Sequence, residues 1–104
     1  MRPILFAKQK ECSQLECVLL EVGSERYRQE ERKAEGRFEF TCADDGMTDY
    51  EKLAVLVEEV GEVAREILTM EGRRLARDTI GTKKALRDEL LQVAAVAVAW
   101  VEAL

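Results

Sequence analysis

Between Leu90 and Val101 the chain carries one polar side chain, Gln92, and no charge. That run fits a helix apolar nearly all round, unlike the one-sided stripe of an ordinary surface helix. Read as a helix over 82–104, it sets Leu86, Val93, Val96, Ala97 and Trp100 within roughly 80° of Glu89 on the helical wheel. A desolvated carboxylate costs several kcal/mol even after relaxation. Glu89 must therefore be protonated, paired or bound to a cation.

A chain of 104 residues is read as one domain over 1–104, with a modest core. Four glycines, Gly36, Gly46, Gly72 and Gly81, interrupt the helical pattern and divide it into three helices, over about 9–33, 48–71 and 82–104. The first has an apolar stripe at Cys12, Leu15, Leu19 and Val22. The second is expected to bury Leu53, Leu56, Val60, Val63, Ala64 and Ile67. Thr48 and Glu51 form a capping box at its start, and Thr82 is the expected cap of the third. Between the first two helices, Phe38, Phe40 and Cys42 alternate in a segment that is either briefly extended or an ordered loop. Two neighbours cannot cover every side of the last helix. The fold class expected is therefore all-α, a four-helix-bundle-like core completed by dimerisation, as a homodimer or homotetramer.

Composition removes several function classes. A net charge of −5 argues against nucleic-acid binding through a broad basic face. The absence of histidine excludes Ser-His and Cys-His nucleophiles, histidine bases and histidine-ligated metals. Three cysteines without C-x-x-C spacing suggest reduced thiols rather than a disulfide framework or zinc site. The N-terminal apolar run is too short for a signal peptide, and the C-terminal one too short to span a bilayer. A cytoplasmic protein without a membrane partner is expected. Carboxylates, Lys, Arg, Tyr and backbone must carry any chemistry.

The carboxylates gather on one face. Glu58, Glu59, Glu62 and Glu66 fall in an arc of roughly 100° on the second helix, where like charges three and four residues apart repel. The ordinary reading is a solvated acidic face. Glu89 on an apolar helix gives that face something to meet, and oxygen-only ligands select hard cations, Mg²⁺ or Mn²⁺. Gly61 sits inside the same helix at about 1 kcal/mol relative to alanine; a close approach by a helix or ligand would account for it, as would chance.

Glu58-Glu59-Val60-Gly61-Glu62, with Glu89-Leu90-Leu91-Gln92 after it, resembles the E-x-x-E and E-x-x-D pair of MazG-like all-α nucleoside triphosphate pyrophosphatases. The similarity extends over Lys52–Ala64 and Glu89–Ala97. It implies that Glu59 and Glu62 form the first metal-binding pair and Glu89 opens the second. Gln92 stands where that family has Asp, and Glu58 lies beside the metals or acts as the water-orienting base. The implied activity is Mg²⁺-dependent hydrolysis of a nucleoside triphosphate to monophosphate and pyrophosphate, with Glu58, Glu59, Glu62 and Glu89 catalytic. House-cleaning of non-standard nucleotides is one such role. Gln92 supplies an amide oxygen without charge, so it is either a weaker metal ligand or an interhelical hydrogen-bonding group.

Arg26, Gln29 and Lys33 continue the inward stripe of the first helix and are candidate contacts to substrate phosphate or base; the alternative is that the helix outruns the core. Arg73, Arg74, Arg77, Lys83 and Lys84 flank the second inter-helix loop and are mostly surface charge. Trp100 and Tyr50 are possible base-stacking groups, Trp100 more simply a core residue. Two other functions fit the chain: a catalytically weakened or inactive nucleotide- or metal-binding relative, and a plain helical oligomerisation module.

Overall fold

The computed structural model describes residues 13–73 and 80–104, with side chains over 13–71 and 83–104. It contains three helices in the expected order, α1 (Gln14–Ala34), α2 (Asp49–Arg73) and α3 (Ile80–Glu102), and no strand among the described residues. Ser13 caps α1. Its hydroxyl accepts from the Glu16 amide at 3.1 Å, and the Glu16 carboxylate accepts from the Ser13 amide at 2.9 Å. The residues before Ser13, where the first helix was expected to begin, lie outside the described residues.

α1 ends at a Glu35 cap and then at Gly36, whose φ of 81° is a left-handed conformation that glycine adopts without a Cβ clash. The capping box predicted for the second helix is present. Thr48 Oγ1 accepts from the Glu51 amide at 3.1 Å, and Glu51 accepts from the Thr48 amide at 2.8 Å. α3 opens at Ile80, two residues before Thr82, so that threonine lies inside the helix rather than at its cap.

α3 is the central element. It packs against both α1 and α2, which scarcely meet each other. Ala95 and Ala99 are fully buried, and their small side chains let the flanking helices approach. Val96, Val22 and, from the connector, Cys42 complete the innermost core, with Val55, Leu56, Met47 and Trp100 packed around it. Trp100 donates its indole N–H to Asp49 at 3.1 Å, tying the end of α3 to the start of α2. The connector is an ordered loop. Asp44 accepts from Lys33 Nζ at 2.6 Å and from the Thr41 amide at 2.7 Å, and Thr41 donates to Glu30 at 3.0 Å.

Two expectations of burial fail within the single chain. Leu15 and Leu19 are 67 % and 58 % exposed, and Leu53, Val60 and Ile67 are each about half exposed. The cause is the arrangement around α3: α1 begins to bury side chains only at Val22, and α2 turns Val55 inward together with only part of its predicted stripe, Leu56 above all. The radius of gyration is 16.2 Å, against about 13 Å for a compact domain of 100 residues. Cysteine usage also departs from expectation. Cys42 is a free buried thiol, but Cys17 is held in a disulfide. No described helix is long and apolar enough to cross a membrane.

Candidate metal centre

The spacing of Glu59 and Glu62 on α2 brings both carboxylates to the side that faces α3, where Glu89 meets them. One carboxylate oxygen from each of the three lies within 4.8 Å of the other two. One oxygen of Glu59 and one of Glu89 are also fully buried with no hydrogen-bond partner. A buried anionic oxygen without a donor is costly, so the cluster holds free energy that a proton or a cation would release.

The protonation equilibria express that strain. Glu89 is pushed from its ordinary 4.5 to about 7, first by burial, then by the adjoining Glu62, and further by Glu59 and Glu66. Its contact with Glu62 becomes a hydrogen bond only when one of the two carries a proton. Glu59 is raised by burial first, then by Glu62 and Glu58. Both shifts have the sign of acids crowded together without a counterion.

The donor set suits a hard divalent cation. Three carboxylates separated by less than 4.8 Å are compatible with oxygens around one ion at about 2.1 Å each after small side-chain adjustment. No nitrogen or sulfur ligand is present to favour zinc.

Glu58 and Glu59 also line a half-open cavity of about 280 Å³ between the C-terminal half of α1, the connector, α2 and α3. Its remaining walls include Arg32, Phe38, Phe40, Gln29 and Gln92. Phe40 lies against the turn: its ring is 2.6 Å from where a Cβ on residue 46 would stand, so a side chain there would displace the ring.

Gln92 is drawn to α1. Its side-chain N–H₂ donates to Glu25, which also pairs with Arg28, and it lines the cavity together with Glu59. Of the three α1 candidates, only Gln29 lines the cavity. Arg26 is committed to Glu30 at 2.5 Å and to Glu102 at 2.7 Å, and Lys33 to Asp44. Glu66 is half-buried beside the cluster. Tyr50 is 86 % exposed, outside the cavity lining, and Trp100 is packed on the core. Lys84 pairs with Asp88 at 3.0 Å, and Lys83 is exposed. Arg74 and Arg77 lie outside the described residues, as does the side chain of Arg73.

Sequence reasoning passed over Arg32, Phe38 and Phe40 as site residues. Arg32 is one turn beyond Gln29, a spacing that puts both on one face, and its guanidinium has no ion pair among the described residues. The alternation of Phe38, Phe40 and Cys42 was the legible sign that the connector turns one side inward. Comparison with known proteins adds no assignment: no family model, no curated protein and no solved structure matches this chain.

Proposed function

We propose that the chain is a divalent-metal-dependent nucleoside triphosphate pyrophosphohydrolase, converting NTP and water to NMP and pyrophosphate. The observation that supports it most is the three-glutamate cluster, in which two buried oxygens have no partner among the described residues and Glu59 also lines a cavity of about 280 Å³. Its resemblance in sequence to MazG-like pyrophosphatases points the same way.

In this reading Glu59, Glu62 and Glu89 hold Mg²⁺ or Mn²⁺. When bound, such an ion supplies positive charge that neutralises phosphate oxygens and eases deprotonation of water. Glu58, exposed at the cavity wall, orients the attacking water and takes its proton as the new bond to the α-phosphorus forms. The bond from the α-phosphorus to the bridging oxygen breaks, and pyrophosphate leaves. Arg32, a cation on the cavity wall with no ion pair among the described residues, answers the charge of the phosphates.

The working unit is an assembly of at least two copies. Leu53, Val57, Val60, Ala64 and Ile67 recur at alternating four- and three-residue spacing, the pattern of a helix-pairing seam, and all are exposed. Gly61 beside them has no atom within 4 Å of the space a Cβ would take.

A second reading, a non-catalytic nucleotide- or metal-binding relative, is favoured by one observation: the Gln92 amide is engaged by Glu25, which leaves three carboxylates to do the work of four acids. The deciding experiment is pyrophosphate release from ordinary and modified (d)NTPs with Mg²⁺ or Mn²⁺, for wild type, Glu62→Gln and Glu89→Gln. Release that both substitutions abolish supports the hydrolase. Folded protein that releases none from any substrate supports the binder.

A further inference from the structure

We infer that the cavity beside the acids receives the nucleobase, and that Gln29 reads it. The inference rests on the proposed nucleotide function for its ligand class, and on separate observations for its place. Gln29 is 7 % exposed, lines the cavity, and makes no side-chain hydrogen bond to a described residue. Neither amide atom is among the fully buried side-chain atoms left without a partner, so the amide opens onto the cavity and is available to a ligand. A ligand edge carrying an adjacent donor and acceptor would satisfy both of its ends, and the Watson–Crick edge of a base is such an edge.

The surroundings fit a flat aromatic guest. Phe38 and Phe40 are 40 % and 43 % exposed at the cavity wall, and Val55 and Val96 give it an apolar floor. Glycine at position 46 lets the Phe40 ring lie against the turn. A volume of about 280 Å³ lies at the lower limit of small-molecule sites, which run from about 300 to 1,000 Å³. It takes one base and not a whole nucleotide. With Glu58 and Glu59 on the same wall, a base in the cavity leaves its phosphates toward the three glutamates.

The test is calorimetric titration of the full chain, without added metal, with nucleoside 5′-monophosphates and with ribose 5-phosphate, which lacks the base. At least one monophosphate is expected to bind more tightly than ribose 5-phosphate, and Gln29→Leu to weaken it about 10- to 100-fold, the discrimination of a good bidentate pair. Ribose 5-phosphate binding should not change. The Gln29→Leu melting temperature should stay close to the wild-type value, since the amide makes no side-chain hydrogen bond to a described residue. Equal or absent binding of monophosphates and ribose 5-phosphate overturns the inference, as does a Gln29→Leu protein that binds monophosphates normally. Should Gln29→Leu fail to fold, Phe38→Ala at the exposed wall takes its place with the same expected loss.

No turnover or metal enters this assay, so a catalytically inactive protein still answers it. Conversely, pyrophosphate release equally efficient from NTPs and from inorganic tripolyphosphate would overturn the base seat and leave the hydrolase standing.

Discussion

α3 makes two junctions of opposite electrical character. Toward α1, charges are answered within the chain: Arg26 by Glu30 and Glu102, Arg87 by Glu21 at 2.5 Å, and Glu25 by Arg28 and Gln92. Toward α2, Glu59, Glu62, Glu66 and Glu89 come together, and no cation pairs with them among the described residues. The first junction pairs its charges within the chain. The second remains electrostatically unfinished, and an unfinished site is where a ligand contributes most.

That contrast can be broken in order of expected effect. Glu62→Gln or Glu89→Gln should lower pyrophosphate release on the order of a thousandfold, the loss of several kcal/mol of charge stabilisation; initial rates under saturating Mg²⁺ measure it. Mg²⁺ or Mn²⁺ at a hundred times its dissociation constant should stabilise the wild type by about 2.7 kcal/mol and Glu89→Gln far less, read from denaturant midpoints. Arg26→Leu should instead destabilise the fold by about 1–3 kcal/mol, because Glu102 and Glu30 lose their partner, while the response to divalent ions persists. A collapsed ion response in that variant would show the two junctions to be coupled.

A further effect is in pH. The folded-state value of Glu89 lies above its ordinary 4.5, at about 7, so the folded state holds more protons between those limits. Metal-free stability should fall as pH rises from about 4.5 to about 7 and then level off with respect to this group. Glu89→Gln should flatten that slope, which urea denaturation at several pH values measures.

The paired junction was the harder to read in the sequence. The helices followed from glycine punctuation, the Thr48–Glu51 box and the apolar run over 90–101, all local signals. The meeting of Glu59, Glu62 and Glu89 was legible because each is misplaced in its own helix: four crowded like charges on one, a carboxylate on an apolar stripe on the other. Arg26 and Lys33 were read as free cations because their partners, Glu102 and Asp44, lie on other segments, and helical spacing carries no information about them. Burial of Leu53, Val60 and Ile67 was expected from a stripe that periodicity locates without saying what covers it. Gln92 illustrates the same limit. Its amide chemistry allowed either ligation or an interhelical bond, and only the approach of Glu25 shows that its N–H₂ makes the interhelical one.

The central claim is that the three glutamates form a divalent-cation site. The most direct measurement is electron paramagnetic resonance of Mn²⁺ titrated into the wild type, Glu59→Gln, Glu62→Gln and Glu89→Gln, each verified as folded. The account predicts bound Mn²⁺ in the wild type that every one of the three substitutions removes or weakens. Free Mn²⁺ throughout the wild-type titration, or binding that all three variants retain unchanged, would contradict it.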